Sequence, residues 1–110
     1  SPNEEKAMIV GGDFSIDTIS AANSIQLIFK KGYIDMKSPT TNPHGYRSSV
    51  TYINDKKIIS CGTSGIDISE DGGMNWQLIS KESYHVVQKA KKGDAIFLAG
   101  NKGRIAKLMP

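Results

Sequence analysis

An internal repeat constrains the fold of this chain more than any other feature of the sequence. Residues 46–69 align without gaps on residues 84–107, at an offset of 38 positions. Residues 3–11 join the alignment at an offset of 51. A repeated unit of this kind predicts a modular structure whose units pack on one another. The identities fall where turns meet apolar runs, at Tyr46/Tyr84, Ile58/Ile96, Gly62/Gly100 and Gly65/Gly103.

Short apolar runs separated by turn residues indicate β-strands in each copy of the repeat. Asn54 and Asp55 tolerate positive φ and predict a hairpin turn, and the glycines within residues 62–65 predict a second tight turn. The apolar spacing over residues 19–31 would also suit a helix, but β-branched and aromatic residues at 25–29 favour a strand. The other predicted strands are residues 7–10, 47–53, 57–61, 66–69, 75–80 and 104–108.

Residues 69–76 carry a motif with a defined geometry. Ser69, Asp71, Gly73 and Trp76 occupy every fixed position of S-x-D-x-G-x-x-W, the Asp-box. An aspartate carboxylate can accept backbone N–H bonds within its own turn, and a glycine permits the φ that the turn needs. Trp76 can cover the turn with a large apolar ring. The motif therefore predicts a structural turn between the third and fourth strands of a unit, rather than a catalytic Asp71.

The motif and the repeat together resemble the Asp-box (BNR) repeat proteins. The likeness is strongest to propellers of the photosystem II assembly factor family and their non-photosynthetic bacterial relatives, within the sialidase-like superfamily. It covers residues 7–15 and 43–108, whereas residues 16–42 carry no second Asp-box. The resemblance implies an extracytoplasmic protein, periplasmic or secreted, that acts as a binding or assembly platform.

We predict an all-β fold of antiparallel four-stranded propeller blades, because four strands in about 40 residues is the period of a blade. The 110 residues then amount to about two to three blades, the C-terminal part of a larger propeller, since a closed ring needs at least about four. The predicted units are residues 1–45, an incomplete and divergent blade; 46–83, the Asp-box blade; and 84–110, an incomplete last blade.

Blade topology also predicts where a ligand would bind. The loops between blades share one rim with the turns between second and third strands, and Asp71 belongs to the opposite rim. Rim loops on a rigid scaffold are a common place for binding groups. Each residue also has a structural interpretation: the tyrosines can pack between blades, Arg47 can pair with a carboxylate, and His85 can be simply exposed. The candidate ligand or partner face comprises Asp13, His44, Tyr46, Arg47, Tyr84, His85, Asn101 and Lys102.

The function we expect is a non-catalytic binding or assembly-platform segment, with a protein or a glycan as ligand. The alternative is part of a sialidase-like glycoside hydrolase whose catalytic residues lie mainly outside this chain. Such enzymes hold a substrate carboxylate with three arginines, whereas this chain has only Arg47 and Arg104. We also expect the blade faces at the ends to be covered by a second copy or by further blades.

Composition argues against several other sites. The net charge is +3: residues 81–110 carry seven basic and two acidic groups, and residues 1–80 carry seven and nine. The basic groups are not interleaved with aromatics as in a nucleic-acid interface, and no window approaches the roughly 18 apolar residues of a membrane span. Cys61 is alone in an apolar run, which favours a buried structural thiol over a nucleophile. The spacing of histidines and cysteine predicts no metal site, and no motif predicts a cofactor.

Overall fold

The computed structural model describes residues 1–12 and 23–108 and confirms an all-β fold of antiparallel sheets. The first sheet contains β1 (Lys6–Val10), β2 (Ser24–Lys30) and β3 (Tyr33–Lys37). The second contains β4 (Ser49–Tyr52), β5 (Ile58–Gly62), β6 (Gly65–Ser69) and β7 (Gln77–Ser80). The third contains β8 (Val86–Lys89), β9 (Ile96–Ala99) and β10 (Ile105–Leu108), with a 3-10 turn at Asn101–Gly103.

Each sheet is a meander in which every strand pairs with the next along the chain. The strand predicted at residues 25–29 is confirmed as β2, so the β-branched and aromatic residues outweigh the helical spacing there. Within the described ranges, no helix is long and apolar enough to cross a membrane.

The strand register corrects the alignment of the repeat by one residue. Cys61 pairs with Ser49 in the second sheet, and Ala99 pairs with Val86 in the third. The positions on β5 and β9 therefore differ by 38, while those on β4 and β8 differ by 37. The cause is the hairpin loop, which runs over residues 53–57 in the second sheet and over 90–95, one residue longer, in the third.

This shift overturns two predicted equivalences. The Arg47 amide donates to the Gly11 carbonyl, and the Tyr84 amide donates to the Gly62 carbonyl in the same way. Tyr84 is thus the structural equivalent of Arg47. The offset of 38 aligns Tyr46 with Tyr84 and Arg47 with His85, and both of these predicted equivalences are wrong. A gapless alignment could not show the extra residue, because it lies in a polar loop without packing constraints.

The second sheet is covered on both faces by its neighbours. One face packs on the first sheet through Met8, Ile58 and Trp76. The other face packs on the third sheet, because successive side chains along a strand point to opposite sides. This second core contains Ile53, Ile59, Cys61, Ile66, Tyr84, Val87, Ile96 and Leu98.

The predicted separation of two rims is confirmed. On one rim, the Gly72 amide in the Asp-box turn donates to the Lys56 carbonyl in the β4–β5 hairpin. On the other rim, the ring Nε2 atom of His85, in the loop before β8, lies 3.0 Å from the Oδ1 atom of Asn101, in the turn between β9 and β10. We call these the Asp-box rim and the loop rim.

The repeated glycine at the end of β5 and β9 allows the chain to cross closely from one sheet to the next. A Cβ atom on Gly62 would clash with the Tyr46 carbonyl oxygen, whereas one on Gly100 would lie 3.0 Å from that of Ser83. Contacts below 3 Å with backbone atoms force the connection to move.

We predict that Gly62→Ala lowers the free energy of unfolding by about 1–3 kcal/mol, the usual cost of overpacking. Gly100→Ala has more room and should cost less. Urea denaturation followed by Trp76 fluorescence measures both variants. Equal stability of Gly62→Ala and the parent chain would contradict the close crossing.

Candidate functional site

The Asp-box turn is held by a network around one carboxylate. The Asp71 Oδ1 atom accepts hydrogen bonds from the Ser69 hydroxyl (2.9 Å), the Met74 amide (3.1 Å) and the Asn75 amide (2.9 Å). The Asn75 side-chain amide donates to Oδ2 at 2.7 Å. Every described contact of Asp71 is therefore within its own turn, which supports the structural interpretation of the motif.

The glycine and the tryptophan of the Asp-box join this turn to the first sheet. Gly73 has φ of 99°, and a Cβ atom there would meet the Met8 sulfur at 2.7 Å. Trp76 is buried and donates from Nε1 to the Gly73 carbonyl at 2.9 Å. The motif thus serves the packing between sheets as well as the turn itself.

The Asp71 carboxyl is stabilised in its ionised form. Burial alone would raise its pKa, but the hydrogen bonds from Asn75, Ser69 and Met74 outweigh that effect and lower the pKa below the usual value for aspartate. The contribution of this group to stability is therefore present above the pKa of the unfolded chain and is lost as the pH falls through the lower, folded pKa.

A second carboxylate, Asp67 on β6, organises the loop rim of the second sheet. Asp67 is fully buried. Its Oδ2 atom accepts the His44 amide at 2.8 Å and the Arg47 Nε–H at 2.9 Å. Its Oδ1 atom lies 2.6 Å from the His44 ring Nδ1 atom. One carboxylate therefore holds both ends of the 44–47 segment.

The Arg47 side chain lies in the interior rather than on the rim. Its side chain is fully buried, and Nη2 lies 2.7 Å from Asp67 Oδ2, as an ion-pair contact without hydrogen-bond alignment. Nη1 donates to the Tyr46 carbonyl at 3.0 Å and to the Ser64 hydroxyl at 2.9 Å. Arg47 therefore pairs with a neighbouring carboxylate, which is the structural interpretation given for it above.

The predicted binding face divides into two groups. Tyr84 is 4% exposed and belongs to the core between the second and third sheets, so it joins Arg47 in the interior. The His44 ring is 46% exposed, Tyr46 and His85 are half-buried, and Asn101 and Lys102 are exposed. Asp13 lies outside the described residues.

The loop rim of the third sheet forms a small cationic cleft of about 340 Å³. Ser83, Asn101, Lys102 and Arg104 line the cleft, so it has two positive side chains and no negative one. The Arg104 guanidinium lies 5.8 Å from the centre of the Tyr84 ring, and His85 contacts Asn101. We refer to this feature as the rim cleft.

The sequence reasoning did not identify Asp67, Ser83 or Arg104 as site residues. Asp67 had no clear signal, since an aspartate between two isoleucines in a strand is also the pattern of a solvent-exposed position. Arg104 had no signal, because the turn before β10 is one residue longer than the turn before β6: Ala99 pairs with Ile105, whereas Cys61 pairs with Ile66. Arg104 therefore stands where the second sheet has Gly65. Cys61 is buried as predicted, and burial raises the pKa of its thiol to about 11 against a smaller opposite effect of Arg47. Across the described part of the chain, no cluster of metal-ligating side chains is found.

We expect Asp71→Ala to lower the free energy of unfolding by about 1–2 kcal/mol near neutral pH, because several donors lose their acceptor. The deficit relative to the parent chain should shrink as the pH falls from about 4, the ordinary pKa of an aspartate in an unfolded chain, through the lower pKa of the folded carboxyl. Asp94→Ala, the same change at an exposed hairpin residue, is the control. Urea titrations over a pH series measure all three proteins, and a deficit that does not depend on pH would contradict the role of the carboxylate.

Removal of Asp67 alone should be far more costly, because it leaves the Arg47 guanidinium buried without a counter-charge. Asp67→Ala is expected to lose about 3–5 kcal/mol of stability. The double variant Asp67→Leu with Arg47→Met should lose less than the sum of its single changes. A double-mutant cycle by chemical denaturation measures this coupling, and strict additivity would show that the pair does not act as a unit.

Protein-family models, curated proteins and solved structures were each compared with the chain, and none of them matches it. The resemblance to Asp-box repeat proteins therefore rests on the residues of the motif and on the internal repeat.

Proposed function

We propose that this chain is a non-catalytic binding or assembly-platform segment built from propeller blades of the Asp-box type. Each sheet would be one blade, with the first and third incomplete. Three observations support this interpretation: the meander order of the strands, the stacking of successive sheets, and the Asp-box turn between β6 and β7. An extracytoplasmic location is part of the same proposal and follows from the resemblance alone.

The rim cleft is the observation that carries the binding role. Its side chains come from the loop before β8 and the turn after β9, which a stacked scaffold holds in fixed positions. Lys102 and Arg104 offer two positive groups, while Ser83 and Asn101 offer hydrogen-bonding groups beside them. This chemistry suits a carboxylate or sulfate carried by an acidic protein or an acidic glycan.

The engagement of Arg47 favours a platform over a sialidase-like hydrolase. An arginine that binds a substrate carboxylate presents its planar guanidinium to the cleft. In this chain the Arg47 side chain is buried, and its guanidinium donates hydrogen bonds to Asp67, to Ser64 and to the Tyr46 carbonyl. We therefore assign a structural role to Arg47 and assign ligand contact to Lys102 and Arg104.

We predict that Lys102→Glu with Arg104→Glu abolishes binding of an acidic probe, a fluorescein-labelled hexaglutamate peptide, at low ionic strength. The matched control is Lys91→Glu with Lys92→Glu, which makes the same change of charge in the β8–β9 hairpin on the Asp-box rim. Fluorescence anisotropy measures the affinity, which should fall steeply with salt. The control should bind like the parent chain; equal loss in both variants would show attraction by net charge alone and would contradict a site.

Because the hydrolase alternative places its catalytic residues mainly outside this chain, a fluorogenic sialoside assay on the full-length protein tests that alternative. No turnover is expected from the full-length protein or from its Arg47→Ala variant. Turnover that Arg47→Ala removes without unfolding the protein would overturn the platform proposal.

A further inference from the structure

The first sheet has one face that no other described part of the chain covers. Met8 packs on the second sheet, so its neighbours Ala7 and Ile9 point to the opposite side. Residues directly opposite each other across an antiparallel pair share a face, and here the pairs are Ile9 with Ile25 and Phe29 with Ile34, among others. All seven residues of this face are apolar, and we call it the head face: Ala7, Ile9, Ile25, Leu27, Phe29, Ile34 and Met36.

Four of the seven head-face residues are largely exposed, and the other three are half-buried. Ile9, Phe29, Ile34 and Met36 expose 52%, 43%, 57% and 66% of their surface. A contiguous apolar sheet face of this kind marks an interaction site in a soluble protein. Its seven strand residues are apolar, and Glu5, whose carbonyl accepts the Phe29 amide, lies at its edge opposite Phe29. A partner must therefore supply a mainly apolar surface.

The third sheet has the corresponding free face at the other end of the stack. Val87, Ile96 and Leu98 pack on the second sheet, so the alternate residues point away from it. Val86, Phe97 and Ile105 are 52%, 44% and 73% exposed. We call this surface the tail face: Val86, Gln88, Phe97, Ala99, Ile105 and Lys107.

The repeat relates the tail face to a surface that is already buried in the chain. Ala99 pairs with Val86 and Ile105, as Cys61 pairs with Ser49 and Ile66. Cys61 and Ile66 belong to the face with which the second sheet covers the third. The tail face is therefore the surface that a sheet of this type lays on its successor.

The head face has the opposite relation. At the offset of 51, Ala7 and Ile9 correspond to Ile58 and Ser60. The strand ends agree with this offset, because Val10 lies directly before the glycine that follows β1, as Cys61 lies directly before the glycine that ends β5. Ile58 belongs to the face that the second sheet offers to the first. The head face is therefore the surface that a sheet of this type offers to its predecessor.

We propose that a second copy of this chain covers both free faces, with the tail face of each copy on the head face of the other. The two junctions would then repeat the two junctions already present within one chain. A contact of this head-to-tail kind closes a dimer when its rotation closes, and here it would give a ring of six sheets. The proposal rests on the sheet faces and is independent of the ligand proposed for the rim cleft.

Charge and area both favour this arrangement. A tail-to-tail contact would bring two Lys107 side chains together, whereas the seven strand residues of the head face carry no positive charge and Glu5 lies at its edge. Each Lys107 then stays beside its own Phe97 ring, 6.0 Å away. Strands about 4.8 Å apart, with about five residues of 3.3 Å each, give each face a footprint of roughly 240 Å². The four faces that meet in the two junctions amount to about 1,000 Å² of flat sheet area, which is near the minimum of about 1,000 Å² for a biological interface.

Sedimentation velocity on the full 110-residue chain, over a wide range of concentration, tests the proposal. We expect a dimer of twice the chain mass of 11.9 kDa. Phe29→Lys on the head face and Ile105→Lys on the tail face should each weaken the dimer about tenfold or more, since each leaves a lysine in an apolar junction. Met36→Lys and Val86→Lys repeat the test at a second position on each face, in case a first variant does not fold.

The matched control is Ile79→Lys on β7, which replaces an isoleucine that is 45% exposed and belongs to neither free face. The control should remain dimeric, with far-ultraviolet circular dichroism and Trp76 fluorescence confirming that every variant is folded.

A mixture separates head-to-tail contact from symmetric contact. Phe29→Lys leaves the tail face unchanged, and Ile105→Lys leaves the head face unchanged. In an equimolar mixture these two unchanged faces can meet, so a heterodimer with one intact junction should form. A parent chain that stays monomeric throughout would overturn the proposal. So would a dimer broken by changes on only one face, which indicates head-to-head or tail-to-tail contact, or a dimer that Ile79→Lys breaks equally well.

Discussion

The stacking of apolar sheet faces is the interaction on which the rest of this structure depends. A three- or four-stranded sheet has two faces and cannot bury either face by itself. The second sheet solves this problem by packing Ile58 on the first sheet and Ile59 on the third, so adjacent residues of β5 serve two different cores. The first and third sheets each bury one face in the same way and expose the other.

Polar groups inside the stack fix the positions of the elements that the apolar contacts bring together. Asp67 ties the 44–47 segment to β6 through His44 and Arg47, and Asp71 closes the turn between β6 and β7. Burial of Asp67 and Arg47 is tolerable because each charge meets the other and has further hydrogen bonds. Ser83 and Arg104 line one cleft on the loop rim of the third sheet.

Much of this fold could be predicted from local sequence, because turns carry local signals. The glycines around Gly62 and the fixed residues of the Asp-box located strand ends correctly, since each acts through its own backbone geometry or hydrogen bonds. The site was less predictable. The extra loop residue before β9 moved Tyr84 into the place equivalent to Arg47, and only tertiary pairing reveals that shift. Burial of Arg47 likewise depends on Asp67, twenty positions away, which no spacing rule connects to it.

We propose that the two ends of the stack are complementary surfaces that a second copy covers. Amide hydrogen exchange resolved by strand, measured at high and low protein concentration, tests this directly. We expect β3 and β10 to lose protection on dilution, because their cover dissociates, while β5 and β6 keep theirs because both neighbours belong to the same chain. Protection of β3 and β10 that does not change with concentration would show that no second copy covers them.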